Sequence, residues 1–156
     1  MAKRKANTTP IWQFLFSVYC TVMLWLLFFR SDSRYPGLPY KELLQQNTNL
    51  IPFYTIKNYL HVLQYSADRY MRTHCFMNLA GNIVLFIPAG WLLPKLWGWL
   101  RNFFRFFIFC TGVIFLVETL QLFTLLGRFD IDDLILNLFG MVLGFVLFAV
   151  KQNKLT

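Results

Sequence analysis

From Ile11 to Phe29 the chain runs 19 residues without a charged side chain. At 1.5 Å per residue, a helix of that length matches the roughly 30 Å hydrocarbon core of a bilayer. Three further apolar segments follow, at about 75–97, 103–126 and 131–150. Lipid offers backbone groups no partners, so only helices or closed barrels satisfy them internally. The apolar residues here run on continuously instead of alternating, which selects helices. The expected fold is all-α: a polytopic membrane protein with four transmembrane helices. Composition agrees, since 57% hydrophobic and 19% aromatic residues lie far above the soluble norm. The 156 residues read as a single membrane domain, 1–156. The first segment reads as an uncleaved anchor, because its apolar run exceeds that of a signal peptide and no A-x-A-like site follows it.

The net charge of +8 does not point to nucleic acid, because the basic residues are scattered with no run that would track a phosphate backbone. They read as topology signals instead. With the N-terminus inside, one face holds Lys3, Arg4, Lys5, Lys95, Arg101, Arg105, Lys151 and Lys154 with no acidic residue among them. The opposite face carries Arg30, Arg34, Lys41, Lys57, Arg69, Arg72 and Arg128, mostly spread over the long polar loop 30–74. The expectation is a plasma-membrane protein with both termini cytoplasmic. Within that outer loop, Lys57 to Arg72 (KNYLHVLQYSADRYMR) mixes tyrosines and leucines with basic residues and reads either as an interfacial helix in the headgroup region or as a solvated loop helix. His61 and His74 read as surface or interfacial residues, and Cys20, Cys75 and Cys110 as small buried hydrophobes.

Polar residues inside the spans are few and ordered. Asp130, Asp133, Asn137, Gly140 and Gly144 recur at spacings of three and four, which sets them on one helical stripe roughly 80° wide. Asn78, Gly81 and Asn82 share a face near the start of the second span, and Pro88 should kink it further along. Glu118 and Gln121 are neighbours in the later half of the third span. A carboxylate at a helix centre costs on the order of 2.5–3.5 kcal/mol on insertion scales, so Glu118 should face protein or water. All three clusters approach the same membrane side, at depths of roughly 3–12 Å, and so should share one layer, with Arg128 at its mouth. Gly81, Gly140 and Gly144 read as packing positions. Asp132 stands beside Asp133, and the stripe favours Asp133 as the inward member.

The blocks NLIPFYTI (49–56), NLAGNIVLFIPAGWLLP (78–94), the Glu118 and Gln121 pair, and GRFDIDDLILNLFGMVLG (127–144) resemble, in that order, the VanZ-like family of small bacterial membrane proteins. The resemblance implies a polytopic membrane protein associated, for the family's namesake, with low-level resistance to the glycopeptide teicoplanin. It implies no known reaction. The family's polar positions match at Asn49, Asn78, Asn82, Glu118, Gln121, Arg128, Asp130, Asp133 and Asn137.

Such a layer can bind or modify an amphiphilic cell-envelope molecule, a glycopeptide or a lipid-linked wall precursor, with Arg128 meeting an anionic group. As a membrane-embedded hydrolase or transferase on a lipid-linked substrate, its best acid–base candidates are Glu118, Asp130 and Asp133. The sequence carries no G-x-S-x-G, H-E-x-x-H or P-loop, and no cofactor or metal site is expected. The alternative is structural: a partner-binding protein whose amides, glycines and carboxylates tie the bundle together. Transport by a monomer is not expected, since no continuous polar path reaches the inner face. The lipid bilayer is the one partner the sequence specifies, and the oligomeric state stays open.

Overall fold

A computed structural model describes residues 9–28 and 37–153. Lys3, Arg4, Lys5, Arg30, Arg34 and Lys154, on which part of the orientation reading rests, lie outside them. The elements run α1 (Thr9–Phe28), α2 (Tyr40–Gln46), β1 (Thr48–Asn49), α3 (Tyr54–Tyr65), α4 (Arg69–Val84), α5 (Ile87–Leu96), a 3-10 turn (Gly98–Arg101), α6 (Phe103–Phe123), β2 (Phe129–Asp130) and α7 (Ile131–Asn153). Among the described residues four helical segments are long and apolar enough to cross a membrane: Pro10–Phe28, Arg69–Leu96, Phe103–Phe123 and Ile131–Gln152. The chain is an all-α polytopic membrane protein.

The second span begins at Arg69, ahead of the expected Cys75. Asp68 sets that start, its carboxylate accepting the backbone N–H groups of Tyr70 at 2.8 Å and Met71 at 3.4 Å. Such a cap satisfies helix-end donors that otherwise have no partner. The amphipathic helix expected over 57–72 is therefore cut in two. α3 ends at Tyr65, Ser66 turns extended, and α4 takes up the rest. Further along, Pro88 sits in the first turn of α5, where its missing N–H costs nothing, and the ladder breaks just before it at Leu85 and Phe86. The Tyr19 hydroxyl donates to the Leu85 carbonyl at this break, at 2.9 Å.

The tightest helix contact joins α5 and the end of α4 to α7. A Cβ at Gly90 would run into the Met141 carbonyl, one at Gly140 into the Ile83 carbonyl, and one at Gly144 into the Ile87 carbonyl. These glycines let backbone meet backbone, the usual way membrane helices gain dispersion contacts without a hydrophobic drive. Gly81 is different: open space lies where its Cβ would be, so packing does not account for it. Around this seam Ala89 and Leu93 of α5, Phe106, Cys110 and Ile114 of α6, and Met141 and Phe145 of α7 form the core, with Met23 added from α1. Elsewhere α1 leans on α5 through aromatic rings, Trp12 meeting Trp91 edge-on at 5.1 Å with the Lys95 ammonium 3.1 Å above the Trp12 ring.

The stretch 40–49 ahead of α3 is pinned to the ends of the last two spans. β1 and β2 pair in parallel, Thr48 opposite Phe129 and Asn49 opposite Asp130. Phe129 N–H donates to the Asn47 carbonyl at 2.9 Å, and the Tyr40 hydroxyl to the Phe123 carbonyl at 2.8 Å. This short ladder, which no sequence pattern announced, holds residues 40–56 at the level where α6 ends and α7 begins.

Candidate functional site

Three neighbouring aspartates, Asp130, Asp132 and Asp133, enter the polar layer, and each has a different environment. Asp130 belongs to β2 and not to the helix. Its carboxylate accepts the Asn49 amide at 3.2 Å, the Thr55 hydroxyl at 2.6 Å and the Asp132 backbone N–H at 2.9 Å. Asn49 also donates to the Thr55 hydroxyl at 3.0 Å and accepts Ile51 N–H at 3.1 Å. Asp130 is thus a junction whose partners all come from the chain itself.

Asp132 is wholly inaccessible to solvent. One carboxylate oxygen accepts Phe53 N–H and the other accepts Ile56 N–H at 3.0 Å, so it clamps the turn that leads into α3. Phe53 holds a left-handed φ of 64°. That conformation costs a non-glycine residue about 1–2 kcal/mol, which the charge-assisted hydrogen bond offsets. Both Asp132 and Asp133 are engaged because neighbouring elements flank the first turn of α7 on two sides: the turn into α3 takes Asp132 and α4 takes Asp133.

Asp133 is half-buried and accepts the Asn82 side-chain amide in a short hydrogen bond. Tyr59 of α3 lies within the field of Asp133, Arg128 and Asp130. Burial, and next the Asp133 charge, push its phenol pKa above the ordinary value, so the hydroxyl stays protonated and able to donate. Tyr59 also meets the His74 ring edge-on at 6.4 Å. Arg128 is exposed between α6 and β2. Among the described residues it makes no direct ion pair, although its positive charge is felt at Tyr59.

Deeper in, Glu118 and Asn137 are both buried, and the Asn137 amide donates to the Glu118 carboxyl over a long 3.4 Å. The Asp130 backbone N–H also faces Glu118. Among the described residues the Asn137 carbonyl oxygen has no donor. Gln121 turns the other way, its amide donating to the Leu27 carbonyl of α1 at 2.8 Å. Asn78 folds back on its own helix and donates to the His74 carbonyl at 2.9 Å. Of the nine residues singled out by sequence, the structure joins Asn49 to Asp130, Asn82 to Asp133, and Glu118 to Asn137. It leaves Asn78, Gln121 and Arg128 outside those contacts. Among the described residues no three His, Cys, Asp or Glu side chains converge on a point that could hold a metal ion.

Sequence reasoning passed over Thr55 and Tyr59, and it favoured Asp133 over Asp132 as the inward residue where the structure engages both. Thr55 lies inside NLIPFYTI and Tyr59 one helical turn beyond it, so the block itself was the available signal. Chemically, the arrangement offers a neutral phenol donor, a half-buried carboxylate held by an amide, and an exposed guanidinium, the phenol feeling the charge of both the others.

A family model described as VanZ/LLP1 matches residues 16–152. The chain belongs to the VanZ/LLP1 family. One relative is Protein VanZ of Enterococcus faecium, 27% identical over 144 residues that cover 90% of this chain and 75% of the relative. No solved structure matches the chain. The VanZ/LLP1 match takes in every polar residue described above, from Asn49 to Asn137.

Proposed function

We propose that the Asp133 side of the polar layer is an outward-facing binding site for an amphiphilic cell-envelope molecule, and that through it this VanZ/LLP1 protein alters the response to glycopeptide antibiotics of the teicoplanin kind. The observation that carries the reading is the half-buried Asp133 held by Asn82, with the Tyr59 hydroxyl in the electrostatic field of both Asp133 and the exposed Arg128. An anionic group of the ligand meets Arg128, while Tyr59 and Asp133 supply a donor and an acceptor for its hydroxyl or amide groups. The positive-inside bias of the flanking residues supports placing this side outside the plasma membrane.

The structural reading is favoured for a different set of residues. Asp130, Asp132 and Gln121 spend their hydrogen bonds on the chain's own loops and helices, which is the behaviour of ties. The test is paired: membrane abundance and glycopeptide sensitivity of the host cell for Asp133→Asn and Glu118→Gln. Normal abundance with lost protection supports a working site. Lost abundance in both would make these carboxylates ties and overturn the reading.

A further inference from the structure

A second feature lies beyond the polar layer. Between the end of α3 and the first two turns of α4 is a cleft of about 500 Å³ lined by Leu63, Ala67, Arg69, Arg72, Thr73 and Phe76. That volume falls in the range of small-ligand sites. Arg69, Arg72, Thr73 and Phe76 follow a spacing of three, one and three, so they share one face of α4. Read from the start of the span into the membrane, that face is two guanidiniums, a hydroxyl and then an aromatic ring 57% exposed. The order mirrors a phospholipid, charged at the interface and apolar below it.

Both guanidiniums are free to take a ligand. Among the described residues neither is in an ion pair. The one adjacent carboxylate, Asp68, is engaged by the backbone N–H groups of Tyr70 and Met71. Two arginines three residues apart present several N–H donors to one set of phosphate oxygens, a geometry lysines match less well. Leu63 and Ala67 line the side of this open cleft toward α3, which separates it from a bare cationic helix end.

We infer that this cleft binds the phosphate-bearing headgroup of a membrane lipid, with the first acyl carbons lying along Phe76. No residue is shared with the Asp133 site, so the two assignments stand independently. The experiment is native mass spectrometry of the full chain in a neutral detergent, titrated with phosphatidylglycerol, phosphatidylcholine or glycerophosphate. The wild type should retain phosphatidylglycerol in preference to phosphatidylcholine. Arg69→Gln with Arg72→Gln should weaken that binding about thirtyfold, the effect of losing two interfacial cations. Leu63→Trp, which fills the cleft without touching charge, should weaken it as well. Lys57→Gln serves as the control for general charge loss. Wild-type binding in both cleft variants, or an equal loss in Lys57→Gln, overturns the assignment. Displacement of the lipid by an equal concentration of glycerophosphate would transfer the site to free phosphates.

Discussion

Asp132 and Phe53, 79 residues apart in sequence, are joined by a hydrogen bond from the Phe53 backbone N–H to a carboxylate that no solvent reaches. The same carboxylate takes Ile56 N–H, so one side chain fixes both the turn before α3 and the register of that helix on α7. Replacing it leaves two backbone donors without their acceptor. Asp132→Ala should cost about 3 kcal/mol or more, seen as a lower melting temperature of the purified protein and reduced membrane abundance. Asp132→Asn keeps the shape but not the charge, and should lose roughly half as much.

Phe53 itself tests the strain in that turn. Its side chain is half exposed while its backbone is left-handed. Phe53→Gly removes the steric penalty and adds chain entropy to the unfolded state, and the two nearly cancel. The unfolding free energy should stay within about 1 kcal/mol of wild type, whereas that of Phe53→Val, β-branched at the same φ, should fall clearly below it.

The glycine seam separates in the same assay. Gly140→Ala and Gly144→Ala each drive a methyl into a neighbouring helix's carbonyl, and each should cost about 1–3 kcal/mol. Gly81→Ala meets open space in a helix interior and should be neutral or stabilising by up to about 1 kcal/mol. If Gly81→Ala destabilised as much as the other two, steric contact would not be the cause.

Asn82 and Asp133 should be energetically coupled. In a double-mutant cycle with Asn82→Ala and Asp133→Ala, the interaction energy should be about 1–2 kcal/mol, near the upper range for polar contacts between membrane helices. A cycle built on Asn78→Ala and Asp133→Ala should give none, since Asn78 bonds to its own helix.

Tyr59 predicts a pH dependence. A phenol whose folded-state pKa is raised favours the protonated form on folding. Its contribution is fully present below the unfolded value of about 10 and is lost as pH rises through the folded value. Wild-type stability should therefore drop above pH 10, and Tyr59→Phe should flatten that drop while leaving neutral-pH stability within about 1 kcal/mol.

The four spans were legible because continuous apolar runs have one solution in lipid, and Pro88 announced its break through the amide it lacks. Boundaries were less so. The second span starts at Arg69 because Asp68 caps it, and a cap at the polar end of a span is invisible to hydropathy. The stripe from Asp130 to Gly144 assumed a helix already running at Asp130. Because α7 begins one residue later, Asp130 is a strand residue, and Asp132 is buried because the turn at 53–56 packs on the first turn of α7. Long-range pairing such as Asn49 with Asp130 leaves no local periodicity to read, so β1 and β2 could not be anticipated. Gln121 and Asn78 show the limit of face arguments: spacing places a side chain on a stripe, while the nearest free carbonyl decides where its amide goes.

The clamp has a temporal side. Residues 40–56 are made early, yet Asp130 and Asp132, which hold them, lie at the start of the final span. During synthesis that segment has no acceptor for Phe53 or Ile56 until the ribosome has passed residue 132, so it settles last although it emerges second. Local helices can form as they appear, but this closure spans about half of the chain, and loop closure of that length is slow. A chain interrupted before α7 would leave this segment unclosed at the membrane surface, a form that quality-control proteases can distinguish from the finished protein.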